Sequence, residues 1–387
     1  MSRHPLPVQD DQRRASGACP LADGFHLRSW RDPEVPLMAD SWGDLAAHAS
    51  TPNPFYERWY LMPSLAAFAP DGQTGLGLFI ADGKLRGLIP IARSTSYHGR
   101  RLPHLAGWLH PNIFSGNPLV AAGEKQRFWS ACLEWLDAAA GDALFFPLRL
   151  ASVGEPLVEA LAQECRKRGR SMRKVYAGAR AELRSPLDAE AYLARAMTAK
   201  ARKELRRQRK RLAELGRIEW QRDRSEMGLD AWTADFLALE QRGWKGSAGS
   251  ALADDPRTAE LFQQALAGAA TTGRLQRLAL TCDGRPIAML ATFLSPPGAF
   301  AFKTAFDEDF ARFSPGLQLQ VENWALLGDG EIDWCDSCAE PGHSMIERIW
   351  MERRPFAYYT LPIGSGIRSK VGGALAWLEE RRQEKRA

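Results

Sequence analysis

The sequence predicts an α/β protein (α+β in layout) of two similar modules, each a mixed, mostly antiparallel sheet flanked by helices. Three observations carry this. Apolar runs flank an Asp-Gly pair in "GLGLFIADGKLRGLIPIARS" and again in "LQRLALTCDGRPIAMLATFLS". The pairs, Asp82-Gly83 and Asp283-Gly284, stand 201 residues apart. The blocks around them recur in the same order. Asp-Gly suits the left-handed turn that joins two twisted strands, so each run reads as a hairpin with antiparallel neighbours. A repeat at fixed offset reads as duplication of one unit.

The elements follow in order. Residues 1–23, "MSRHPLPVQDDQRRASGACPLAD", lack the apolar run of a signal peptide and read as a disordered tail. The first module covers 24–180. It has a Trp-bearing helix in "NPFYERWYLMPSLAAF", the first hairpin, and a loop in "PHLAGWLHPNIFSGNPLV" containing Gly116. Helix, Gly-Asp and buried strand follow in "WLDAAAGDALFFPLRL". The second module covers 221–378. Its counterparts are "DFLALEQRGWKGSAGS", the second hairpin, "FKTAFDEDFARFSPGLQL" with Gly316, and "WALLGDGEIDWCDS". Residues 379–387 read as a charged tail.

Between the modules, 181–220 reads as a basic helical connector. Ser185 is placed to cap a helix, with Pro186 at its first position and Asp188 three residues on. Thr198 caps a second helix, and Gly216 marks its stop. Met197, Ala201, Leu205, Leu212 and Leu215 form a thin apolar stripe, and the other faces are Arg and Lys. Residues 163–224 hold 20 Lys/Arg against 8 Asp/Glu, so the rest of this +5 chain carries −7. An anionic partner, tRNA or a membrane surface, is therefore expected at this helix.

The chain has 387 residues, 45% hydrophobic and 25% charged, enough for a large core. No apolar run reaches the length of a membrane span. Six cysteines in a chain this long do not form a disulfide framework, and a reducing cytoplasm is the expected compartment.

"TAKARKELRRQRKRLAELGR", "EQRGWKGSAGSAL" and "FKTAFDEDFARFSPGLQL" together resemble GNAT-like acetyltransferases of the CelD/BcsL type, linked by name to cellulose and exopolysaccharide biosynthesis. "DSCAEPGHSMIERIWMERR" looks like one branch of that family. The resemblance implies two tandem GNAT-like modules, as in the FemABX peptidyltransferases, with acyl-CoA (acetyl-CoA) as co-substrate and no metal. It implies that a strand ends in a loop whose helix start holds the pyrophosphate of the donor through backbone N–H groups and the helix dipole. Here that loop is "ARFSPGLQL", with one glycine where the family pattern has more. Ser314 would cap, Pro315 fits the first turn, and the amides from Gly316 and Leu317 onward would meet the anion. The first-half loop "NIFSGNPLV" lacks this helix start, so the second module is expected to be the active one.

Acyl transfer to an amine needs a base and donors that polarise the thioester. Lys245, among glycines beside Trp244, suits a phosphate or carboxylate. Glu240, one turn earlier, is a candidate base. Lys303 and Asp307 frame a strand end and share one face with residue 305. Asp333 and Asp336 follow at the end of the next strand, where Asp333 is a further candidate base and Asp336 suits a turn cap. Cys335, Cys338 and His343 give three quarters of a zinc knuckle without the fourth ligand, so no metal is expected. His343 could also act alone as a base.

The expected activity is N-acyl transfer from acyl-CoA to an amine on a small molecule or glycan precursor, in polysaccharide or cell-envelope biosynthesis. A Fem-like transferase using aminoacyl-tRNA and a non-catalytic GNAT-like binding protein are the alternatives.

Overall fold

The computed structural model describes residues 20–385. Residues 1–19 of the expected N-terminal tail, and 386–387 of the C-terminal one, lie outside the described residues. The first half runs β1 (Gly24–Ser29), α1 (Ala39–Ala47), α2 (Arg58–Phe68), β2 (Thr74–Ala81), β3 (Lys84–Tyr97), β4 (Arg100–Gly107), β5 (Leu119–Val120), α3 (Lys125–Ala138), β6 (Phe145–Ser152), α4 (Pro156–Lys167) and β7 (Arg173–Leu183). Helices α5 (Ala189–Ala196) and α6 (Ala199–Leu212) connect. The second half runs β8 (Ile218–Asp223), α7 (Leu229–Arg242), the single turn α8 (Trp244–Ser247), α9 (Pro256–Thr271), β9 (Leu275–Cys282), β10 (Arg285–Ser295), β11 (Gly298–Phe306), α10 (Pro315–Glu322), β12 (Trp334–Asp336), β13 (Glu352–Pro362) and α11 (Gly366–Glu384).

The halves share one element order: strand, two main helices, three meandering strands, helix, strand and a final strand. Both Asp-Gly hairpins form, with positive φ at Asp82, Gly83, Asp283 and Gly284. The sheets, however, are not one per module. Strands β1-β2-β3-β4 form one sheet, with β5 on β3. The other sheet has the order β6-β13-β7-β12-β11-β10-β9-β8. The last strand of each half lies inside the strands of the other: β13 between β6 and β7, and β7 between β13 and β12. Exchange covers backbone edges that each half alone would leave open. It also means that the expected boundary at 180/181 cuts through β7.

One apolar core runs through both halves. It joins Phe55, Tyr60 and Leu61 to Phe236, Phe262, Phe293 and Phe302. Phe55 meets Phe300 edge-on at 5.4 Å, and Phe293 stacks on Phe302 at 4.5 Å. A buried carboxylate crosses the same seam. Glu57 accepts from Ser295 Oγ at 3.1 Å and Trp59 Nε1 at 2.8 Å, with Arg274 Nε at 3.5 Å. Burial holds the Glu57 carboxyl above its ordinary range, against the opposing pull of Arg274.

Four local expectations change. Asp188, not Ser185, caps α5, accepting from the Ala191 N–H at 2.8 Å, because the chain turns first through Ser185 Oγ and Leu187 N–H. Thr198 does cap α6, at 3.2 Å from the Ala201 N–H, but Leu215 lies past the helix and is 49% exposed. Residues 379–384 continue α11 and are not a tail. Helix α9, which directly precedes the second hairpin, was not anticipated, although Asp255 as cap and Pro256 at the first position mark its start.

Candidate active site

Strands β11 and β12 pair in parallel only from Gly298/Trp334 to Phe300/Asp336. Beyond that point no pairs follow, while β11 continues to Phe306. A cavity of about 450 Å³ opens in this wedge. Ala301–Thr304 and Phe306 line one side, and Ser337, Cys338, Ala339, His343 and Met345 the other. A second cavity of about 380 Å³ lies behind α8, among Asn112, Glu240, Ser250, Asp255 and Thr258. Trp244, Lys245 and Lys303 line both cavities and so stand at their junction.

The junction is an ion-pair cluster. Lys245 Nζ lies 2.6 Å from Glu240 Oε1 and donates to Thr304 O at 3.3 Å. The other Glu240 oxygen accepts the Leu252 N–H at 2.8 Å. Glu240 is only 4% exposed, so both carboxylate oxygens are satisfied inside the fold. Lys303 Nζ donates to Asn112 Oδ1 at 2.8 Å and sits 5.5 Å and 5.4 Å from the rings of Phe114 and Phe302. Burial, and then the charge on Lys245, push the Lys303 ammonium down to about 8; Glu240 opposes the shift. His110 lies near enough to feel Lys303, and burial pushes it down to about 3, so it stays neutral.

Asn112 and Phe114 come from the first half, on the loop after β4. That loop is fixed by buried polar contacts. Tyr60 Oη donates to Asn112 O at 2.5 Å, and Tyr56 Oη to Trp108 O at 3.1 Å. Asn53 Nδ2 donates to Asn117 O at 2.7 Å and to Ser115 O at 3.2 Å. The loop expected to be idle thus supplies the partner of Lys303.

The structure brings together three of the residues singled out from sequence: Glu240, Lys245 and Lys303. The others lie elsewhere. Asp307 caps the next turn, accepting the Asp309 N–H at 3.0 Å, and its other oxygen pairs with Arg285. It lines neither cavity, because the chain turns away from the β11 face at that residue. Asp333 is exposed, and its N–H donates to Pro297 O, in the turn before β11, at 2.8 Å. Ser314 precedes α10 with φ 52° and makes no side-chain cap. Gly316 is buried, and a Cβ there would lie 3.1 Å from Met345 Sδ and 3.2 Å from Phe306 Cδ1. The Cα side of Gly316, at the start of α10 just before Leu317, thus faces two side chains that line the wedge cavity.

Sequence reasoning missed Asn112, Phe114, Thr304 and Gln320. Gln320 lines the wedge cavity, and its Nε2 donates to Thr304 Oγ1 at 3.3 Å. Its buried Oε1 has no hydrogen-bond partner among the described residues. The signal was there in part, since Gln320 lies one helical turn past Gly316 and so shares its face. Asp336 does cap the following turn, accepting the Cys338 N–H at 2.8 Å, but it does more than that. It is fully buried and held by Arg180 in a two-pronged pair of 3.0 Å and 2.9 Å. Cys335 and Cys338 are buried and free, and burial raises both thiols. Among the described residues no group of His, Cys, Asp and Glu gathers as a metal site.

Residues 199–338, which contain the wedge and the lysine pair, match the acetyltransferase (GNAT) domain family. Over those residues the chain has a GNAT-like fold. It is similar to the crystal structure of FemX at 9% identity and TM-score 0.54, covering 83% of this chain and 95% of that one. It is similar to the C-terminal domain of a putative lysylphosphatidylglycerol synthetase from Agrobacterium fabrum at 13% identity and TM-score 0.51, covering 88% and 95%. A protein of unknown function from Bacteroides thetaiotaomicron, at 9% identity and TM-score 0.54, covers 88% and 99%. No curated protein sequence matches the chain. No helix among the described residues is long and apolar enough to cross a membrane.

Proposed function

We propose that the chain is an N-acyltransferase that moves an acyl group from an acyl-CoA thioester to an amine. The observation that carries this is Lys303, held at the junction of two cavities with its pKa pushed down to about 8. The wedge cavity receives the acyl end of the donor. Its walls are mostly apolar, and the free Gln320 Oε1 is available to an amide N–H of the donor arm. The cavity behind α8 receives the amine.

The chemistry balances with these groups. Neutral Lys303 takes a proton from the acceptor ammonium. The amine nitrogen then attacks the thioester carbonyl carbon, the C–S bond breaks, the remaining excess proton on nitrogen passes to the leaving thiolate as the amide forms, and Lys303 releases its proton to solvent. Lys245 supplies positive charge near the developing oxyanion while Glu240 holds its ammonium in place. Acetyl-CoA and an amino-bearing glycan precursor remain the donor and acceptor of choice, in keeping with the CelD/BcsL resemblance and a role in polysaccharide or cell-envelope synthesis.

A second reading has one observation in its favour. On α6, Lys200, Lys203, Arg206, Lys210 and Arg211 are exposed, while among the described residues Arg207 and Arg209 form ion pairs with Glu204 and Glu322. Such a face suits the phosphates of an aminoacyl-tRNA. The test is turnover of acetyl-CoA with an amine panel against turnover of aminoacyl-tRNA, each across pH. Turnover of a thioester that rises with pH through about 8, and loses that rise in Lys303→Met, supports the first reading. Transfer from aminoacyl-tRNA alone supports the second.

A further inference from the structure

The first half has its own cavity, of about 330 Å³, between the loop after β4 and the strands β6, β13 and β7, and the proposed reaction does not use it. Its floor is the sheet β6-β13-β7 at the level of Tyr358. There both neighbours of β13 lose register. On one side the pairing steps from Ala357/Ala151 to Tyr359/Leu148, leaving Arg149 and Leu150 opposite Tyr358 alone. On the other it steps from Tyr358/Tyr176 to Tyr359/Lys174, skipping Val175. Leu150 takes φ 53°, a left-handed conformation that a leucine adopts at a cost. Bulges re-aim side chains and gather beside functional sites. Two at one level, with a strained leucine between them, need a reason.

What they gather is an aromatic shelf beside a cation. Tyr176 and Tyr358 lie 4.8 Å apart, and Phe356 lies about 6 Å from each, at 6.0 Å and 6.2 Å. A Cβ on Gly178 would fall 2.8 Å from the Phe356 ring, so the bare backbone there gives that ring its seat. Tyr176 remains 37% exposed, and neither tyrosine hydroxyl has a hydrogen-bond partner among the described residues. Arg180 is fixed by Asp336 and lies 4.9 Å over Phe356. Arg149 is exposed and has no ion pair or hydrogen bond to its side chain among the described residues, unlike Arg180. Glu340 stands at the rim.

We propose that this cavity binds a ring, sugar or heterocycle, that carries a phosphate or carboxylate. The ring lies on the tyrosine shelf, the anion pairs with Arg149, and Glu340 accepts from a hydroxyl or ammonium of the ring. The cavity shares Phe114 and Ala339 with the acyl wedge, so an occupant is adjacent to the reaction and separate from it.

Calorimetric titration of the full chain with glucose 6-phosphate, uridine 5′-monophosphate, glucose and inorganic phosphate tests this. At least one of the two phosphorylated rings binds, more tightly than glucose or phosphate alone. Arg149→Gln, an exposed substitution, keeps the melting temperature and lowers that affinity roughly 10- to 100-fold. Tyr176→Ala weakens it further, and Lys303→Met leaves it unchanged. Binding of neither phosphorylated ring, equal binding by Arg149→Gln, or loss of binding in Lys303→Met overturns the proposal. The last result would move the ligand to the acyl site. Failure of the acyl-transfer assay leaves this titration intact, because it reads binding alone.

Discussion

The two wedges share a frame and differ in what fills it. In the second half, β11 and β12 part at Phe300/Asp336 and enclose a lysine pair over apolar walls. In the first, the loop after β4 stands off strands β6, β13 and β7, and the space between them holds an arginine beside tyrosines. The second buries its cation until its pKa falls; the first leaves Arg149 to water. A guanidinium cannot lose its proton at any working pH, whereas a desolvated ammonium can. One frame is thus built for proton transfer and the other for holding an anion. Neither stands alone, because the loop leaving β4 supplies the Asn112 that binds Lys303.

The largest test of this contrast is Lys303→Met. If Lys303 is the base, turnover falls about 10²- to 10⁴-fold. Stability moves the other way. With a folded pKa of about 8 against an ordinary 10.5, the unfolded chain binds more protons between those values, and stability rises with pH across that window. Below pH 8 the full cost of the buried ammonium is present. Replacing it should therefore raise stability at pH 7, by roughly 1–3 kcal/mol, with the gain fading towards pH 10.5. Denaturant melts at pH 7 and pH 10 check the sign, and a variant less stable at pH 7 would refute the buried-cation argument.

Glu240→Ala comes next. It strands Lys245 and the Leu252 N–H, and should cost about 3 kcal/mol of stability along with activity. A melt unchanged from the parent would mean that the cluster is wetter than its geometry indicates. Asn112→Ala then asks whether the halves cooperate. Losing one hydrogen bond to a charged group should lower turnover about tenfold with little change in melting. Unchanged steady-state kinetics would return the first half to a purely structural role. The smallest effect belongs to Asp307→Asn, which weakens a cap and a half-exposed ion pair. About 1 kcal/mol of stability should go, and turnover should hold. A large drop in kcat would restore Asp307 as a candidate base.

The repeat was legible because it rests on local rules. Asp82-Gly83 and Asp283-Gly284 turn the chain wherever they stand, since left-handed backbone is accessible to Asp-Gly and unfavourable for most pairs. Thr198 capped its helix for a similarly local reason. Glu240 and Lys245 were found because they sit five residues apart at one helix end. Asp307 and Asp333 looked equally good, since a carboxylate at a strand end carries no mark of whether it faces a cleft or its own turn. Nothing near Gly316 in sequence announces Met345, which lies against it from 29 residues on.

The fold class, the recurring order of elements, the hairpins and the basic face of α6 were set by the sequence, since all of them follow from spacing, turn chemistry and charge within a few residues. The tertiary structure alone decided that β7 and β13 change places, that Asn112 reaches Lys303 across 191 residues, and that burial lowers that lysine's pKa. The reason is physical. Strand exchange and desolvation depend on which edges and side chains are left to meet once the chain has closed on itself, and residues far apart in sequence carry no local sign of that meeting.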